Sequence, residues 1–233
     1  MALGILSGPR LPPARGSATH LVVLLHGYGA DGKDLIGLAP HLQRALPTAS
    51  FVAPNAPERC SGAGYQWFPI TRLDPHEMQK GAVAASGGLE AFLSAELARL
   101  ELAPSRLALI GFSQGTMMAL HVGLGGASSP AAIVGFSGML AGPPPDARPV
   151  PILLTHGDAD TVIPPDALFA TAITLGAAGY GVQWHLSAGL GHGIDAVGLA
   201  LAGRFLAQAF AGRLAAHGEI CCPAVANSTH RIA

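Results

Sequence analysis

Three short segments carry the residues that could do chemistry together. Ser113 lies in Gly111-Phe112-Ser113-Gln114-Gly115, Asp158 and Asp160 lie in the stretch from His156 to Pro165, and His192 lies between Gly191 and Gly193. A serine hydroxyl is a weak nucleophile until a base takes its proton, and an imidazole titrating near neutrality can do that and later protonate a leaving group. A carboxylate fixes the imidazole tautomer and stabilises the imidazolium. Of the two acids, Asp160 sits further beyond the preceding apolar run and is the one expected to reach across to His192, while Asp158 is expected to organise its loop by accepting backbone N–H groups. An acyl-transfer site also needs backbone donors for the developing oxyanion. The residue after the serine, Gln114, supplies one, and a glycine-rich loop, His26-Gly27-Tyr28-Gly29, follows an early apolar run and can supply another.

The competing acids and histidines have simpler readings. Asp195 is too near His192 in sequence to reach it from another loop, Asp146 lies in a proline-rich connection, and Asp166 is expected at a helix cap. His121 falls on the segment after Ser113 and is expected to pack there. His185 lies within a strand-like run, and His156 is expected to make a structural polar contact.

These groups are positioned by alternating elements. Strand-like runs occupy residues 19–25, 49–54, 106–111, 131–138, 149–157 and 182–187. Several are continuous and apolar, as parallel strands buried on both faces are. Helical patterns occupy residues 35–46, 83–100, 114–124, 165–178 and 196–214. Strands separated by helices predict an α/β fold with a mostly parallel central sheet and helices on both faces. Ser113 then falls where a strand turns sharply into a helix, a turn whose flanking positions 111 and 115 require glycine. In such a sheet ligands collect beyond the carboxyl ends of the strands, where all three segments lie. Residues 56–80 form a long stretch without regular pattern, read either as a functional loop or as an ordinary surface excursion pinned by Tyr65, Trp67 and Phe68.

Composition narrows the function classes. Half of the 233 residues are hydrophobic and 12% are charged, yet no apolar run reaches the length of a membrane span. The net charge of −1, with thirteen scattered Lys and Arg, offers no basic face, so nucleic acid is not an expected partner. The proline-broken N-terminus does not read as a signal peptide, and three cysteines, two of them the adjacent Cys221 and Cys222, do not make a disulfide framework. No Cys or His pair has metal-ligand spacing. The expectation is a cytoplasmic protein with free thiols and no metal. Residues 1–18 read as an N-terminal extension, 19–214 as one domain, and 215–233 as a tail.

The motifs HGYGADGKDL, QWFPI, IGFSQGTMMAL, HGDADTVIP and GLGHGI together resemble the carboxylesterase/phospholipase family of α/β-hydrolases, which includes acyl-protein thioesterases and bacterial carboxylesterases. The order Ser, Asp, His along the chain is the order of that fold. The resemblance implies an α/β-hydrolase fold and a cofactor-free serine hydrolase, with Ser113 as nucleophile, Asp160 as acid and His192 as base. It implies oxyanion N–H groups from Tyr28 and Gln114, and an acyl pocket near Trp67 and Phe68. The activity expected is hydrolysis of small-molecule carboxylic esters through an acyl-enzyme, with acyl-protein thioesterase or lysophospholipase action as the alternative and a homodimer left open. A non-catalytic binding protein of the same fold would normally lack a triad member, and all three are present. One departure stands out: many members read G-F-S-Q-G-G or G-F-S-Q-G-A, where this chain has Thr116.

Overall fold

The apolar runs pair into one twisted sheet because each must bury both faces. The computed structural model describes residues 6–71, 74–145 and 150–214. In chain order the elements are β1 (Arg10–Leu11), β2 (His20–Leu25), α1 (Gly32–Ile36), α2 (Ala39–Leu42), β3 (Ala49–Val52), β4 (Glu58–Arg59), β5 (Tyr65–Gln66) and α3 (Pro75–Arg99). They continue with β6 (Leu107–Phe112), α4 (Gln114–Gly125), β7 (Ala132–Phe136), β8 (Ile152–Gly157), α5 (Asp166–Ala177), β9 (Val182–Ser187) and α6 (Ala196–Phe210). The main sheet runs β1-β3-β2-β6-β7-β8-β9, parallel throughout except for β1, which pairs antiparallel with β3. β4 and β5 form a separate hairpin.

Alternation along the strands divides the core in two. Leu21, Val23, Leu25, Leu107, Leu109, Ile152 and Leu154 point to the face covered by α3, α4 and α5. Val22, Leu24, Ala108, Ile110, Val134 and Leu153 point to the face covered by α1, α2 and α6. Each fully buried Leu or Val contributes about 1.5–3 kcal/mol relative to leaving it in water, so this double burial specifies the register strongly. The α/β-hydrolase architecture expected from the sequence is the one observed.

Several boundaries differ from the sequence reading. The N-terminal segment is not all extension: Arg10–Leu11 adds the edge strand β1 beside β3. Arg10 also pairs with the buried Glu96 of α3, which takes a second partner in Arg99 at 2.8 Å. Burial opposes the Glu96 charge, but the two guanidinium groups outweigh it and hold the carboxyl below its ordinary value. The expected helix over residues 35–46 is broken into α1 and α2. The expected helix over 83–100 starts earlier, at Pro75, with the Asp74 carboxylate accepting the Glu77 N–H. The hairpin β4–β5 and the first turns of α3 therefore occupy much of the patternless stretch. α6 closes at Phe210 rather than at residue 214, and Asp146, Cys221, Cys222 and the tail lie outside the described residues.

Candidate active site

β6 delivers Ser113 into a backbone conformation that L-residues rarely adopt, φ 53° and ψ −117°. Such a conformation costs about 1–3 kcal/mol and persists only where its surroundings enforce it. They do so by close approach: a β-carbon at Gly111 would lie 2.3 Å from Gly115 O, and one at Gly115 would lie 1.9 Å from Leu25 O. The Ser113 N–H donates to Phe136 O at 2.9 Å, anchoring the turn to the end of β7. α4 starts at Gln114, so its N–H belongs to the first-turn donors that have no partner inside a helix. The loop after β2 abuts the same place, since a β-carbon at Gly27 would come within 3.2 Å of Ser113 Cβ.

The carboxyl ends of β8 and β9 bring the other two segments here. His192 Nδ1 donates to Asp160 Oδ2 at 2.8 Å. Asp160 Oδ1 accepts the N–H groups of Val162 and Ile163 at 2.9 and 3.0 Å. Burial disfavours the Asp160 charge, but these donors outweigh it and hold the carboxyl below its ordinary value, so it stays ionised near neutrality. A carboxylate can only accept, which places the His192 proton on Nδ1 and leaves Nε2 as an acceptor. The imidazole packs at a tilt of 46° against Phe112, the residue before the serine, with ring centroids 5.0 Å apart. Ser137, itself at φ 45°, donates its hydroxyl to Gly193 O at 3.0 Å and pins the histidine loop to the end of β7. Asp158 accepts the Gly189 N–H at 2.6 Å, the loop-organising contact expected of it.

His156 is closer to the chemistry than the sequence suggested. Its Nε2 lies 2.8 Å from Ile163 O and 3.2 Å from Asp160 Oδ2. A carbonyl and a carboxylate both accept, so Nε2 carries the proton and Asp160 is faced by two imidazole donors. Its spacing of four residues from Asp160 was the available signal.

Behind the serine, His26 and Gln114 act as hubs. His26 Nδ1 donates to Gly27 O at 2.7 Å, while Nε2 accepts the Ala56 N–H at 2.9 Å. Burial pushes the His26 pKa down and keeps the ring neutral, as this pattern requires. The Gln114 side chain accepts the Trp67 N–H at 2.9 Å and donates to Phe68 O at 2.7 Å. The Trp67 indole donates to His26 O at 2.9 Å. Trp67 and Phe68 are 1% and 2% exposed, so they offer no surface to a ligand in this conformation and wedge the loop against the elbow. Tyr28 is half exposed, and the next residue, Gly29, donates its N–H to Tyr65 O at 2.9 Å. Asp195 caps α6 by accepting the Gly198 N–H at 2.7 Å, Asp166 lies in the first turn of α5, and His121 packs along α4. Among the described residues no cluster of three His, Cys, Asp or Glu could hold a metal ion, and no helix is long and apolar enough to cross a membrane.

The family profile described as Phospholipase/Carboxylesterase matches residues 8–210. Acyl-protein thioesterase 1 of Gibberella zeae is 28% identical over 211 residues, covering 79% of this chain and 88% of that protein. Acyl-protein thioesterase 1 of Schizosaccharomyces pombe is 31% identical over 163 residues, covering 63% of this chain and 70% of that protein. Among solved structures, esterase PE8 is 42% identical with a TM-score of 0.78, covering 86% of this chain and 97% of its own. A carboxylesterase from Mesorhizobium loti shares the fold at 24% identity and a TM-score of 0.75, covering 89% of this chain and 97% of its own.

Proposed function

The chain belongs to the phospholipase/carboxylesterase family, a family of esterase- and thioesterase-type hydrolases, and from that premise we propose that it is a carboxylesterase acting through an acyl-enzyme on Ser113. The observation that carries this reading is the 2.8 Å His192–Asp160 pair set against Phe112, beside the strained Ser113 turn.

The steps follow from the atoms. His192 Nε2 takes the Ser113 proton as Oγ attacks the ester carbonyl, and the imidazolium that forms is stabilised by ionised Asp160. The carbonyl oxygen gathers negative charge within reach of the Gln114 N–H at the start of α4, with the Tyr28 N–H as second donor from the abutting loop. His192 then protonates the departing alcohol. Water, deprotonated by the same nitrogen, attacks the acyl-serine and releases the acid, returning the proton to Ser113. No step calls on a cofactor. The thioesterase names of the fungal relatives favour a second reading, acyl-thioester hydrolysis by the same site.

The test is a panel of p-nitrophenyl esters of increasing acyl length beside an acyl-CoA and a lysophospholipid, with Ser113→Ala as control. Ester turnover abolished in the control supports the proposal. A much higher kcat/KM for the acyl-CoA assigns the thioesterase reading, and activity surviving in Ser113→Ala overturns the nucleophile assignment.

A further inference from the structure

Thr116, in the first turn of α4, is wholly buried at the elbow. Its hydroxyl lies 2.9 Å from Gly111 O, 2.9 Å from Phe136 O and 3.1 Å from Phe136 N. A threonine inside a helix ordinarily bonds back to a carbonyl three or four residues earlier in its own helix. Here the hydroxyl instead leaves the helix and reaches two strands: Gly111 is in β6, two residues before the serine, and Phe136 ends β7. With one proton and two lone pairs, it donates to one carbonyl at a time while accepting the Phe136 N–H. Phe136 O is also the acceptor of the Ser113 N–H. One hydroxyl therefore ties the first turn of α4 to both strands that flank the nucleophile, at the carbonyl that holds the nucleophile's own backbone.

The surroundings are shaped to admit it. A β-carbon at Gly135 would fall 2.5 Å from Thr116 Cγ2, and one at Gly138 would fall 2.4 Å from Thr116 Cβ and 2.8 Å from Ser113 O. The two glycines open the space that the threonine fills.

We infer that Thr116 is a positioning residue for the nucleophile: its hydroxyl fixes the α4 first turn against β6 and β7, and so sets where Ser113 Oγ and the Gln114 N–H point. This rests on the reading of Ser113 as nucleophile. The purified protein is compared with Thr116→Val, Thr116→Ser and Thr116→Ala in fluorophosphonate labelling rate and in kcat and KM for p-nitrophenyl acetate, with circular dichroism to establish folding. Displacing reacting groups by 1 Å can cost about 10², so partial release of this clamp should lower labelling rate and kcat roughly tenfold in Thr116→Val, with KM unchanged. Thr116→Ser keeps the hydroxyl and should stay within about twofold of wild type. If valine prevents folding, Thr116→Ala, which cannot clash, should show the tenfold loss. A folded valine or alanine variant that labels at the wild-type rate overturns the inference, and so does a serine variant as slow as the valine one. Wild-type protein that resists the probe, or activity in Ser113→Ala, overturns the nucleophile reading and this inference with it.

Discussion

Replacing Asp160 by Asn separates the two imidazoles that face it. The wild-type carboxylate accepts from Val162 N, Ile163 N, His192 Nδ1 and His156 Nε2 at 2.9, 3.0, 2.8 and 3.2 Å. An asparagine oxygen can keep the two backbone donors, which turns its NH2 toward the histidines. His156 cannot adapt, because Ile163 O, an acceptor only, holds its proton on Nε2 at 2.8 Å. His192 can adapt, but only by moving its proton to Nε2, which in the proposed mechanism must instead take the Ser113 proton. The wrong tautomer costs ~10⁴ in kcat in a serine protease triad, about 5.5 kcal/mol of barrier. The mismatched His156 N–H adds a stability cost of ~1–3 kcal/mol, equivalent to a fall in Tm of about 2–12 °C for a domain of this size. The assay is p-nitrophenyl acetate hydrolysis beside thermal melting, with Asp158→Asn as comparison. The amide oxygen there still accepts the Gly189 N–H, so less than about a tenfold loss is expected. Asp160→Asn retaining more than about a tenth of wild-type kcat, or Asp158→Asn losing as much, refutes the reasoning.

Ser113→Gly removes the proposed nucleophile and relieves the φ 53° turn; the relief of ~1–3 kcal/mol exceeds the ~0.5–1 kcal/mol entropy cost of glycine, so Tm should rise by a few degrees, and an unchanged or lower Tm would mean the turn stores no strain. Trp67→Ala empties a wholly buried site and breaks the bond to His26 O; at ~3–5 kcal/mol it should lower Tm by about 6–20 °C while leaving the ratio of kcat/KM between short and medium acyl esters within about twofold. A tenfold re-ranking with little change in Tm would instead make Trp67 part of the acyl pocket. Burial depresses the pKa values of His26, His20 and His121, with Arg106 adding to the effect at His20. The unfolded chain therefore binds more protons, so this contribution is fully present above about pH 6.5 and is lost as pH falls toward the folded values. Urea midpoints should decline from pH 7 to 5, then more steeply below about pH 4 as Asp160 and Glu96 take up protons, and a flat midpoint between pH 7 and 5 contradicts this.

The strands were legible because apolar runs such as Leu21-Val22-Val23-Leu24-Leu25 admit one placement, buried on both faces. The segments bearing Ser113 and Asp160 were legible because each follows such a run, whereas the His192 segment follows the half-buried edge strand β9 and was legible from its flanking glycines and its place in the chain order. Boundaries were harder. Gly81, Gly87 and Gly88 weaken the helical pattern of α3, and its start is marked by a capping aspartate with proline at the first helical position, Asp74-Pro75, a local signal rather than a periodic one. β1 is two residues of a proline-rich segment whose strand character comes from pairing with β3, not from its own pattern. The burial of Trp67 and Phe68 was hidden for a related reason: it depends on Gln114 and His26, residues 47 and 41 positions away from Trp67, and no local pattern encodes so distant a partner.

The His26 hub has a consequence for how this scaffold can diversify. One imidazole residue grips both ends of the β4–β5 excursion, through the Ala56 N–H at the outgoing end and the Trp67 indole at the returning end. Gly29 and Ala30 further tie to Tyr65, closing the excursion at its root. Residues 61–63 lie beyond the paired strands of this hairpin and can lengthen or be exchanged while the elbow at Ser113 stays in place. The hairpin tip can thus change in length and sequence without disturbing the elbow.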